Sequence, residues 1–225
     1  MMQMMTKRSG ERRRAFSLIE LMLVLTVVAL LMAFAAPNLF SLMSSSSLTA
    51  EGTLLRNQLT LGQQLAVSKS ADVEVRFFRM ADVEAARTDT AFRAFQMFQY
   101  DEDGEMSPVS SFFRIKAPVA VSEKYSTLLD PRQSGSGDDL RFGFSSPRSG
   151  MVEVPIGFGG SMERADYVAF RFRPDGSTDL PNRAEGDTWY VTLVQGEGAS
   201  AEQSPDNYVC LQLNPYNGKV SEFRP

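Results

Sequence analysis

The sequence predicts an α+β protein: a long N-terminal helix, partly transmembrane and partly amphipathic, packed on an antiparallel β-sheet domain. Three observations predict it. Residues Phe16 to Ala36 form a 21-residue run whose one ionisable side chain is Glu20. From Leu48 to Ala66, apolar and small residues recur at helical spacing. After Ala71 the period changes to two, with turn residues between successive runs. A helix followed only by strands and turns points to an antiparallel sheet covered on one face.

Taken in order, residues 1–15 are a basic leader. Lys7, Arg8, Arg12, Arg13 and Arg14 stand against Glu11, a net charge of +4. Positive flanks stay cytoplasmic, so the rest of the chain is expected on the far side of a membrane. The 21-residue run is close to the ~20 residues that span a bilayer as a helix. A carboxylate at the centre of such a helix costs about 2.5 to 3.5 kcal/mol on insertion scales, and less near its end. Glu20 is therefore a functional candidate whose partner must be named. Two plainer readings compete. One is an ordinary signal anchor in which Glu20 is incidental. The other is a cleaved secretory signal, since Ala33-Phe34-Ala35 has a small-x-small pattern. The run is longer than a secretory core usually is, and it contains a carboxylate.

The segment Ala15-Phe16-Ser17-Leu18-Ile19-Glu20-Leu21 resembles the class III signal of type IV pilins and type II secretion pseudopilins. That resemblance implies cleavage between Ala15 and Phe16 by a prepilin peptidase, with methylation of the new amine. Ala15 stands where the family usually has glycine. Removal of the leader would leave an ammonium at Phe16 as the partner for Glu20. Within one chain the two are at i and i+4, a spacing that helices allow. Between chains the pair would set the axial stagger of an assembly. Pro37 is expected to kink the helix, because it removes a backbone bond.

The sequence divides into the leader (1–15), a transmembrane or filament-core helix (16–37), an amphipathic helix (38–71) and a β domain (72–225). Ser44 to Ser47 reads as a short loop. Leu48, Gly52, Leu55, Leu59, Gly62 and Ala66 then form one helical face, widened by Leu54, Leu61 and Leu65. Strands are expected at Val73–Phe78, Ala91–Tyr100, Phe112–Val121, Leu140–Phe144, Tyr167–Arg173, Trp189–Val194, Tyr208–Leu213 and Lys219–Phe223. Asp101-Glu102-Asp103-Gly104, Pro174-Asp175-Gly176 and Asn214 to Gly218 supply turns. Ser122 to Asp139 reads as a mobile polar loop. This order is similar to the minor pseudopilin H, or FimT-like, branch and to the prepilin-like Verru_Chthon cassette protein D group. The likeness rests on Val73-Glu74-Val75-Arg76-Phe77, Phe92-Arg93-Ala94-Phe95-Gln96, Asp101-Glu102-Asp103-Gly104, Phe170 to Gly176 and Gly218-Lys219-Val220.

Composition narrows the function. Without the leader the chain has 18 Lys+Arg against 26 Asp+Glu, a net charge of −8. That balance argues against a general nucleic-acid binder. The chain has no histidine and one cysteine, Cys210. His-dependent triads, His metal sites and an intrachain disulfide are therefore ruled out. Asp101, Asp103 and Glu105 invite a calcium reading, but the frame of an EF-hand loop is absent. Arg171 and Arg173 alternate with Phe170 and Phe172, which suits a strand with one wet and one buried face better than a nucleic-acid strip. Pro155 to Gly160 is glycine-rich but lacks the Lys-Ser/Thr ending of a phosphate loop. No catalytic, cofactor-binding or metal-ligating residue is expected. The expected role is a non-enzymatic minor pilin or pseudopilin in the inner membrane, N-terminus cytoplasmic, with prepilin peptidase and other pilins as partners. The alternatives are a filament-tip module that captures DNA or an exported substrate, and a membrane-anchored exported enzyme.

Overall fold

The computed structural model describes residues 17–81, 90–101, 103–129, 147–156, 161–181, 188–195, 205 and 207–225, without the side chains of 34–44 and 161. Ala15, Phe16, the strand expected at Leu140–Phe144 and most of the loop expected at Ser122–Asp139 lie outside them.

Helix α1 spans Leu18–Lys69. It is helical through Pro37 and through Ser44 to Ser47, so the short loop expected there is absent. Serine lowers helix propensity by only a few tenths of a kcal/mol, too little to interrupt four turns on either side. The chain divides into two compact units between Met43 and Ser44, inside this helix.

In the second unit, strands β1 (Val73–Ala81), β2 (Thr90–Tyr100), β3 (Met106–Pro108), β4 (Phe113–Arg114), β5 (Val119–Ser122), β6 (Arg148–Ile156), β7 (Ser161–Phe172), β8 (Trp189–Gln195), β9 (Tyr208–Leu213) and β10 (Val220–Phe223) make one sheet. Its order is β10-β9-β8-β5-β2-β1-β7-β6, with β3 and β4 also on β2. Every pairing is antiparallel.

The single strand expected at Phe112–Val121 is divided. Pairing with β2 runs from Phe98↔Pro108 to Ala94↔Arg114 to Phe92↔Val121, slipping by two residues and then by five. The causes are local. Pro108 and Pro118 cannot donate to a ladder. The Met97 N–H is instead satisfied by Ser110 Oγ (2.9 Å). Residues beyond β5 are also less loop-like than expected. A 3-10 turn at Thr127–Leu129 buries Leu128 and Leu129, and Thr192 N–H donates to Ser126 Oγ (2.9 Å). Strand β6 was not expected, and β7 starts six residues before Tyr167.

The core lies between the second part of α1 and one sheet face. All six residues of the predicted helical face are buried. Leu48, Leu55, Leu59 and Ala66 meet Val73, Val75, Phe77, Phe170, Phe172, Trp189, Leu193 and Leu211 in one cluster. Burying each large aliphatic side chain is worth about 1.5–3 kcal/mol. The two glycines of the face allow close approach. A Cβ on Gly52 would lie 2.7 Å from Val209 Cγ1, and one on Gly62 would lie 2.9 Å from Met97 Sδ. Leu61 departs from expectation and is exposed.

Candidate functional site

The first described residue of the N-terminal segment already makes local structure. Glu20 N–H donates to Ser17 Oγ (3.2 Å) and to Ser17 O (3.1 Å). Ser17 is thus the N-cap of α1, and Glu20 is its third helical residue. Ser17-Leu18-Ile19-Glu20 has the Ser-x-x-Glu pattern of a capping box, a signal the sequence reading passed over. A first-turn carboxylate also meets the positive end of the helix dipole. Glu20 is exposed. Its expected partner at Phe16 lies outside the described residues.

Beyond Glu20 the helix surface is apolar on every side. Twelve large side chains from Leu18 to Met32 are exposed, from Val28 at 40% to Leu18 at 79%. Thr26, the one polar side chain from Leu21 to Met32, turns its hydroxyl back onto Met22 O (2.7 Å). Its donor is therefore satisfied without water. A helix that is hydrophobic all round is covered in its working state by lipid or by other helices. Among the described residues no helix is long and apolar enough to cross a membrane. The described side chains of the run stop at Ala33, three residues before the sequence run ends. Pro37 lies inside α1.

The second part of α1 is fixed to the turns of the sheet. Gln63 Nε2 donates to Gly176 O (3.3 Å) and to Asn217 O. Asn207 Nδ2 donates to Ser45 Oγ (2.9 Å), and Arg224 Nη1 to Thr49 Oγ1 (2.9 Å). The turns are those the sequence predicts, with Gly104, Gly176 and Gly218 at positive φ. At the first, Glu105 N–H donates to Asp101 Oδ1 (2.7 Å). The Asp101 carboxylate there serves a turn, and among the described residues no acid, His or Cys cluster could hold a metal ion.

The sheet face away from the helix carries a buried ionic cluster. Glu74 accepts from Arg76 Nε (2.6 Å), Arg171 Nε (2.9 Å) and Tyr100 Oη (2.9 Å). Arg148 Nη2 lies 3.5 Å from Glu74 and 3.0 Å from Asp179. Arg171 Nη1 lies 3.7 Å from Asp72. The Arg76 guanidinium sits between the rings of Phe98 (4.9 Å) and Tyr167 (4.4 Å). Burial raises the pKa of Glu74, but Arg76, Arg171 and Tyr100 outweigh it and hold the carboxyl below its ordinary value. Arg171 is thus a partner in this cluster rather than a wet-face residue, while Phe170 and Phe172 are buried as the alternation requires. Sequence reasoning missed the cluster. Its only local sign is charge on a strand whose two faces are both buried, and the Glu74↔Arg171 cross-strand pairing depends on topology.

Cys210 is half-buried, and burial pushes its thiol up despite a hydrogen bond with Thr192. It is a small packing residue and not an activated nucleophile. It lines a cavity of ≈ 250 Å³ with Tyr125, Tyr190 and Tyr208.

Residues 11–36 match the family model for the prokaryotic N-terminal methylation motif. The match spans Ala15 to Leu21, the segment that carries the resemblance. No protein of curated function matches the chain. Among solved structures, the minor pseudopilin EpsH from the type 2 secretion system of Vibrio cholerae is similar at 9% identity and a TM-score of 0.39. That match covers 80% of this chain and 98% of the other.

Proposed function

We propose that the chain is a minor pilin- or pseudopilin-type structural subunit, anchored by the first part of α1 with its β domain outside the inner membrane. Prepilin peptidase cuts between Ala15 and Phe16, and the new amine is methylated. The apolar helix holds the subunit in the membrane and later packs among the helices of sibling subunits. Glu20 pairs with the Phe16 ammonium of its own or a neighbouring chain and sets axial register. Pro37 lets the helix bend on assembly.

One observation carries the reading. Within a prokaryotic methylation motif, a helix segment exposes twelve large apolar side chains, while the domain that follows has its own closed core. Capture of nucleic acid is less favoured, because arginines that could form a basic surface are spent in pairs. Arg76, Arg148 and Arg171 face Glu74, Asp179 and Asp72, Arg79 faces Glu123, and Arg56 and Arg224 face Glu222.

N-terminal mass spectrometry of membrane-extracted protein tests the reading. A mature start at methylated Phe16 is expected. A start at Ala36 would replace it with ordinary secretory cleavage.

A further inference from the structure

One ionisable group of α1 points into the helix–sheet interface. Glu51 is 7% exposed, and its Oε2 has no hydrogen-bond partner among the described residues. It stands one residue before Gly52, where the helix comes closest to Val209, and between the buried Leu48 and Leu55. The Lys116 N–H, in the turn between β4 and β5, donates to the carboxyl group. The Lys116 side chain is exposed and acts on it as a charge rather than as a contact ion pair. The other charged groups brought to this stretch of helix, Glu222 and Arg224, are engaged with Arg56 and Thr49. A charged carboxylate here has lost its water at Oε2 with no hydrogen bond among the described residues to replace it, a loss that the Lys116 N–H and charge only partly offset.

We infer that docking of α1 on the sheet is proton-linked at Glu51, so that the protonated carboxyl belongs to the docked helix and its ionisation loosens the interface. The inference is independent of what covers the first part of α1. Physical chemistry fixes its sign. Burial raises the pKa of Glu51 above 4.5, against the smaller opposing effects of the Lys116 backbone and charge. Below that ordinary value the carboxyl is protonated whether the domain is folded or not, and stability does not change. Above it the unfolded chain releases a proton that the folded domain retains. Stability then falls with pH until the folded group also ionises. In the neutral range the interface is therefore weaker than in mild acid. A helix that must shift against its sheet would move more easily there.

The test uses the full chain in a neutral detergent. Trp189 is the one tryptophan, and it is buried in the core beneath α1, so its fluorescence reports undocking. Thermal midpoints are measured from pH 4.5, the ordinary value of the group, to pH 8 for the wild type, Glu51→Gln and Lys116→Ala. The wild-type midpoint is expected to fall relative to that of Glu51→Gln as pH rises across this range. In Lys116→Ala the fall should be steeper, because the charge that eases ionisation is gone. Parallel curves for wild type and Glu51→Gln would overturn the inference. If Glu51→Gln does not fold, the Lys116→Ala comparison decides: an unchanged slope overturns the proposal, and a steeper one sustains it.

Discussion

The two parts of α1 follow one backbone geometry and meet two different surroundings. From Leu18 to Met32 apolar side chains point in every direction and are all exposed. From Leu48 to Ala66 one stripe of them, Leu48, Leu55, Leu59 and Ala66, is buried at 0–3%, and Leu61 alone of the large apolar side chains there is exposed. The difference lies in spacing, not in helix propensity. A helix that is apolar all round cannot be satisfied by one sheet, which covers one side only. A helix with a single stripe needs nothing more. Among the described residues nothing covers the first part, whereas the second part packs on the sheet of its own chain.

The sharpest way to break this comparison is to make one substitution in both places. Leu55 is fully buried and Leu25 is 59% exposed. Leu55→Ala should cost the domain about 3–5 kcal/mol, through lost transfer energy and the cavity left behind. Leu25→Ala should leave the domain midpoint unchanged, while weakening retention in membranes. Denaturant unfolding followed at Trp189, with membrane fractionation alongside, checks both. Equal losses in domain stability would show that the first part packs on the domain.

Acid should separate the two parts in a second way. The domain relies on Glu74, whose folded pKa lies below 4.5. Its stabilising contribution is present above that value and is lost as pH falls through the folded pKa, at about 1.4 kcal/mol for each pH unit between the two values. Below pH 4.5 the wild-type midpoint should drop toward that of Glu74→Gln, which should itself be low and less sensitive to acid. Thermal unfolding between pH 2 and pH 6 reads this directly.

Close packing gives a smaller effect of opposite sign to propensity. Gly52→Ala would gain about 1 kcal/mol of intrinsic helix stability on an exposed helix. Here the added methyl meets Val209 at 2.7 Å, and the net change should be a loss of about 1–3 kcal/mol. Pairing it with Val209→Ala should recover part of the loss. A stabilised single variant would show that the helix can back away from the sheet.

Much of this was legible in the sequence, for definite reasons. The stripe Leu48-Gly52-Leu55-Leu59-Gly62-Ala66 is a single-period pattern, and its burial follows from period alone. β9 coincides with its expected bounds, because Tyr208–Leu213 alternates cleanly and asparagine and glycine close the turn after it. β6 was hidden because Pro155 and Gly150 weaken Arg148–Ile156 as a strand, and both are tolerated at a sheet edge. The Glu74 cluster was illegible because, Arg76 apart, its partners Tyr100, Arg148 and Arg171 lie far from Glu74 in the chain, and only the strand pairings of the sheet bring them together. At the N-terminus, the methylation motif was readable as a motif, while the capping role of Ser17 was masked because its Ser-x-x-Glu spacing lies inside the apolar run.

Glu20 sharpens the comparison most finely, since it should matter to the first part of α1 and not to the domain. Its local value to the helix is small: a first-turn carboxylate is worth about 0.3–1 kcal/mol against the dipole. Glu20→Gln and Glu20→Ala should therefore insert, be cut at Ala15-Phe16 and leave the Trp189 unfolding midpoint unchanged. They should fail to co-purify with partner prepilins, because the Phe16 ammonium loses its counter-charge. Glu20→Asp should be intermediate, keeping the charge with a shorter reach. Ser17→Ala separates the two possible roles of this turn. It removes the hydroxyl that accepts from Glu20 N–H, at a cost of about 1 kcal/mol to the helix end, but leaves the carboxylate in place. If Glu20 acts through register, Ser17→Ala should assemble normally while Glu20→Ala does not. If both fail alike, the turn matters as a helix cap. If Glu20→Ala assembles as the wild type does, the carboxylate is a passenger in the apolar run.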